Sequence, residues 1–156
     1  MYKAVIFDLY GTLLDIHTDE NQEELWEKMA FLYATHGANY LPDELKTAYQ
    51  AYVERYMDKR RSKGEEYPDI DILKVFKVLF SDKGVKVDKR TLHEVAKFFR
   101  ILSLDYVKPY PGAVELLELL NASEVQVILL SNAQESFTMT ELEVSGIRKY
   151  FNGIYL

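Results

Sequence analysis

No cysteine occurs in the 156 residues, which removes disulfides, thiolate nucleophiles, iron–sulfur clusters and cysteine-ligated zinc from consideration. Positive charge is also short. Nineteen Lys and Arg stand against 25 Asp and Glu, a formal net charge of −6, and the basic residues form no long stripe, so nucleic acid and anionic membrane are excluded as partners. The three histidines, His17, His36 and His93, are too scattered to suggest a metal site and read as surface or packing residues. No apolar run approaches the length of a membrane span. The N-terminal stretch MYKAVIFDLYGTLLD carries an acid within its first ten residues and no small-residue cleavage site, so a soluble cytoplasmic protein is the expectation. What is present is a 48 % hydrophobic composition at the length of one ordinary domain, enough to build a core.

Residues 3–8, KAVIFD, make an almost continuous apolar run ended by an acid, the pattern of a parallel strand buried on both faces. A turn-rich YGTLLD follows, centred on Gly11. From Asp19 to about Ser103 the spacing is helical. A first helix carries Leu25, Trp26, Met29, Leu32 and Tyr33 on one face, with Asp19 and Gln22 as a capping pair at its start and Gly37 at its end. Pro42 opens a second helix reaching to about Lys63. Two more run from about Ile70 to Asp82 and, after an N-cap at Asp88, from Lys89 to Ser103; no strand is expected in this region. The pattern resets at Tyr110-Pro111-Gly112. AVELLELL is a short helix, VQVILL a second buried strand ending at Ser131, residues 134–144 another helix closed by Gly146, and FNGIYL a third apolar run. Strand, helical insertion, helix, strand, helix, strand is the order of a parallel α/β sheet interrupted after its first strand.

Ligands of open parallel sheets bind beyond the carboxyl ends of the strands, which singles out Asp8 and Ser131. A carboxylate there can attack carbon or phosphorus to give an ester that water removes. The LYGT turn could aim backbone N–H groups at an anion, with Gly11 permitting the bend and Thr12 adding a hydroxyl. Ser131 and Asn132 offer a hydroxyl and an amide to the same anion near the start of the following helix. Each feature has a plainer reading. Acids that end strands are commonly loop caps, and Ser and Asn begin many helices. The row Tyr49, Tyr52, Tyr56 reads as helix packing. Lys59, Arg60, Arg61 and Lys63, with Arg55, read as a solvated helix end.

VIFDLYGTLLD, PYPGAVELLELL and VILLSNA, in that order, resemble the first and second motifs of the haloacid dehalogenase superfamily, separated by a helical insertion like that family's cap. The resemblance implies a Rossmann-like α/β core of residues 1–15 and 104–156 with a helical cap of residues 16–103. It implies a hydrolase in which Asp8 is the nucleophile of an aspartyl-ester mechanism, Gly11 and Thr12 shape the motif loop, and Ser131 and Asn132 bind the anion of a small substrate. Tyr10 stands where phosphatases of the family place an acid/base aspartate, so Asp8 and Tyr10 are the candidate catalytic pair and, if the chemistry is of phosphatase type, the candidate magnesium ligands.

The breadth of that family favours a small phosphorylated metabolite. Against this, Asp-x-Tyr-Gly-Thr resembles the 2-haloacid dehalogenase branch, which needs no cofactor, and a departing halide needs no proton whereas an alkoxide does. Against the dehalogenase, the arginine which that branch carries in its cap has no counterpart in HGANYLPDE. The family's third-motif lysine and fourth-motif acidic pair are not found by motif within these residues, and Lys149 does not fill the lysine role. That leaves a non-catalytic fragment binding an anion or a partner protein as a further alternative. The family's strand order would leave residues 3–8 as an open edge, predicting a homodimer through that edge, capture of a partner strand there, or aggregation.

Overall fold

In the computed structural model, which describes residues 2–66, 68–123 and 125–156, the elements run β1 (Ala4–Phe7), β2 (Leu14–Thr18), α1 (Glu23–Thr35), α2 (Pro42–Arg61), α3 (Ile72–Asp82), α4 (Lys89–Ser103), β3 (Leu104–Pro109), α5 (Ala113–Ala122), β4 (Gln126–Leu130), α6 (Glu135–Val144), a 3-10 turn (Arg148–Tyr150) and β5 (Gly153–Tyr155). They form two compact units, residues 1–19 with 104–156, and residues 20–103.

The first unit is α/β. Its sheet has the order β1-β4-β5, with both pairings parallel and Phe7 aligned with Leu129 and Leu130 with Tyr155. The sheet grows in one direction, and right-handed crossovers then place α5 and α6 on the same face. On that face Val127 and Leu129 are fully buried among Leu117 of α5, Leu142 of α6, Ile147 and Phe151. Each such side chain contributes about 1.5–3 kcal/mol by leaving water. The other face carries Ile6 at 60 % exposure and Leu130 at 54 %. The expectation of a first strand buried on both faces is therefore corrected: alternate residues of β1 are half-buried and exposed, because among the described residues of this unit α5 and α6 both pack on the first face.

A second difference is the antiparallel ribbon β2–β3, which pairs Leu14 with Pro109 and Ile16 with Val107. Asp15 and His17 alternate with Leu14 and Ile16, but over only four residues, and Tyr106-Val107 breaks the alternation in β3, so the ribbon gives little period-two signal. The polar residues meet across the strands. His17 Nδ1 lies 2.6 Å from Asp105 Oδ2, the Tyr106 hydroxyl donates to Asp15 Oδ1 at 3.3 Å, and Lys108 Nζ lies 3.5 Å from Asp15 Oδ2.

The second unit is a ring of four helices in which α1 packs on α2 and α4, and α3 on α2 and α4. Its interior is aromatic: Tyr33 stacks on Phe80 with centroids 4.1 Å apart, and Phe99 meets Trp26, Tyr49 and Phe76. Pro42 opens α2 as expected, Asp88 Oδ1 accepts the Thr91 amide before α4 at 2.8 Å, and Gly37 follows α1 with φ 87°. At the start of α1 the N-cap position falls on Gln22, three residues after Asp19, and carries no side-chain cap bond.

Candidate functional site

Two neighbouring parallel strands bring the first candidates together. Continuing the β1–β4 register by one residue beyond Phe7 and Leu129 sets Asp8 opposite Leu130, with Ser131 next. Both sit at carboxyl ends, where the backbone leaves the ladder and side chains are released toward a ligand. Asp8 is exposed, Ser131 is buried and Asn132 is exposed. The Ser131 amide is held by Tyr155 O at 3.0 Å, which extends the β4–β5 pairing to the residue that presents the hydroxyl. Asn132 follows in the short bend before α6.

The loop after Asp8 closes on itself. Leu9, fully buried, accepts the amides of Thr12, Leu13 and Leu14 at 3.3, 2.8 and 3.0 Å, and the Gly11 amide donates to Leu14 O at 3.0 Å. Gly11 takes φ 73°, which only glycine adopts without strain, and a side chain there would meet nothing within 4 Å. Its role is therefore conformational. The backbone N–H groups of Gly11 and Thr12, expected to face an anion, are engaged in the turn. The Thr12 side chain is exposed, so its hydroxyl is the polar group that this turn presents outward.

The Tyr10 hydroxyl donates to Glu141 Oε2 and lies 3.1 Å from Thr138 Oγ1, both on α6. Thr138 is 0 % exposed and Glu141 1 %. The sequence reading did not single out either residue. The signal was present, since Thr138, Glu141 and Leu142 share one helical face at i, i+3, i+4, and a carboxylate on a stripe that includes a core leucine requires a buried partner. What the sequence did not supply was that the partner lies 131 positions away.

Magnesium takes six oxygens, usually from carboxylates and water; of the expected pair Asp8 offers an exposed carboxylate while the Tyr10 phenol is hydrogen-bonded to Glu141, and among the described residues no group of three acidic or histidine side chains could hold a metal. Lys149 lies with its Nζ 4.9 Å from the Tyr150 ring centre. His36 packs edge-on against Phe80.

The family model described as haloacid dehalogenase-like hydrolase matches residues 2–156. No curated protein matches the chain. Among solved structures, L-2-haloacid dehalogenase from Xanthobacter autotrophicus is 21 % identical over 99 % of this chain and 56 % of its own, with a TM-score of 0.43. A protein assigned as a β-phosphoglucomutase in Thermotoga maritima is 21 % identical over 98 % of this chain and 60 % of its own, with a TM-score of 0.41. This chain thus spans less than two thirds of the length of either.

Proposed function

Because the chain belongs to the haloacid dehalogenase-like hydrolases, we propose that Asp8 is a nucleophile that forms an aspartyl ester with a small anionic substrate, and that water then cleaves the ester. The observation that carries this reading is the pairing of β1 with β4, which sets the Asp8 carboxylate and the Ser131 hydroxyl at adjacent strand ends. In this reading Ser131 and Asn132 hold the substrate anion, Thr12 adds a hydroxyl from the nucleophile's loop, and Gly11 lets that loop turn. Residues 20–103 are the cap that selects the substrate.

Two leaving groups suit such a nucleophile. A phosphate monoester, the commoner substrate type in the family, releases an alkoxide that needs a proton, and an acid/base group there contributes about a hundredfold to ten-thousandfold. A halide needs none. The Tyr10 hydroxyl, at the acid/base position, is engaged by Glu141 and Thr138, which favours displacement of halide from a 2-haloacid. In that step an Asp8 oxygen bonds to the α-carbon while the carbon–halogen bond breaks and halide leaves with the electron pair. Water then attacks the ester, restoring the carboxylate and releasing a 2-hydroxy acid and a proton.

The test is covalent capture. The chain is incubated with 2-chloropropionate, or with p-nitrophenyl phosphate with and without magnesium, and analysed by intact and peptide mass spectrometry beside release of chloride or p-nitrophenol. A propionate adduct on Asp8, absent in Asp8→Asn, is expected. Magnesium-dependent p-nitrophenol release lost in Asp8→Asn would replace the haloacid with the phosphate ester. Neither adduct nor release would favour the non-catalytic reading, in which the same strand ends only bind.

A further inference from the structure

Glu141 and Thr138 take no part in the chemistry proposed above, yet their placement is costly. A carboxylate removed from water is unfavourable by several kcal/mol unless hydrogen bonds replace its hydration. Glu141 is essentially fully buried, one helical turn after the equally buried Thr138 and beside Leu142. Both polar side chains converge on one atom, Tyr10 Oη. A phenol has a single proton. It goes to Glu141 Oε2, so at the 3.1 Å contact the Thr138 hydroxyl is the donor and Tyr10 Oη the acceptor. The order is Thr138 to Tyr10 to Glu141.

We propose that Glu141, assisted by Thr138, is a positioning residue for the nucleophile loop. It fixes Tyr10 as a strut between the loop that follows Asp8 and the helix that follows Ser131-Asn132. The two segments that present the nucleophile and the anion-binding groups are joined through their strands, β1 and β4, and through the apolar core that Leu9 and Leu13 share with Leu142. The strut adds a directional polar tie on the side where the chain has left the sheet, so the loops keep one relative position. The same bonds commit the phenol proton to Glu141, leaving Tyr10 with no donor for a leaving group.

The assignment rests on this geometry. It draws its functional meaning from the Asp8 reading, and the experiment separates the two. The chain is produced with tyrosine labelled at 13Cζ, and the Tyr10 resonance is identified by its loss in Tyr10→Phe. In Glu141→Gln this resonance should shift more than that of any other tyrosine, and Thr138→Val should move it as well. Glu143→Gln, an exposed position on the same helix, should leave it in place. An unmoved Tyr10 resonance in a folded Glu141→Gln or Thr138→Val protein would overturn the strut; if Glu141→Gln does not fold, Thr138→Val decides. Alkylation of Asp8 by 2-chloropropionate should slow by about tenfold to a hundredfold in Glu141→Gln, the scale expected for a misplaced reacting group. A shifted Tyr10 resonance with no alkylation in either protein upholds the strut and removes the nucleophile reading. Alkylation at the parental rate, with the resonance unmoved, removes the strut and keeps the nucleophile.

Discussion

Asn152 completes the pairing of β4 with its neighbour through both backbone and side chain, since the Val127 amide donates to Asn152 Oδ1 at 2.7 Å while the Asn152 amide donates to Val127 O at 2.8 Å. The residue lies just before β5, where Ile128 first aligns with Gly153. Its side chain therefore acts as one more rung, holding the strand that ends at Ser131. Asn152→Ala leaves the amide of a fully buried valine without this partner, which should cost about 1–3 kcal/mol. Urea denaturation followed by circular dichroism measures the loss, and amide exchange at Val127 should accelerate in step.

Tyr10→Asp restores the carboxylate that phosphatases of the family carry at this position. Phosphate-ester hydrolysis should nevertheless stay at the parental level, because the shorter side chain abandons Glu141 and Thr138. The lost phenol bonds should lower stability by about 2–4 kcal/mol, toward the upper end for bonds to a buried charged acceptor. Release of inorganic phosphate from an alkyl phosphate, whose alkoxide leaving group needs the proton, measured with magnesium and read beside a thermal melt, checks both parts. A gain of a hundredfold or more would show that the strut is dispensable and that the acid/base position alone was missing.

High pH should unfold the helical unit. Burial raises the phenol of Tyr40 to about 12 and pushes Tyr33 and Tyr49 further up, with the Glu20 charge adding to burial at Tyr49. A folded-state value above the ordinary one near 10 means that the folded chain holds its phenolic proton more tightly than the unfolded chain does. The stabilisation is complete below pH 10 and is lost as pH rises from about 10 to 12 and beyond. Melting temperature should therefore be flat on this account up to pH 10 and then fall. Tyr33→Phe removes one of these protons and the bond to Phe76 O at 3.3 Å. It should lower stability by about 1 kcal/mol at neutral pH and flatten the alkaline fall, both read from melts between pH 7 and 11.

The exposed sheet face carries Ile6 and Leu130, with Tyr155 also 60 % exposed, and among the described residues β1 pairs on one side only, with β4. An apolar face joined to an open edge is a template for association. We expect the chain to self-associate with rising concentration through β1. Light scattering over a dilution series should show the mass rising, and Ile6→Lys should shift the curve toward the monomer. A monomer at every concentration would refute this.

The sequence by itself determined where β1 and β4 end and which side chains follow them. Their apolar runs are legible because they are unbroken by charge up to Asp8 and Ser131, and the four helices of residues 20–103 because their apolar positions recur at three and four. Motif order within those elements was enough to reach the family. Only the tertiary structure brought Tyr10 to Glu141 and Thr138, since local pattern holds no record of contacts between residues 131 positions apart. It also decided that β1 is exposed on one face. The run KAVIFD reports how apolar a strand is, but burial depends on which side of the sheet the crossover helices pass, and here both α5 and α6 pass on the same side.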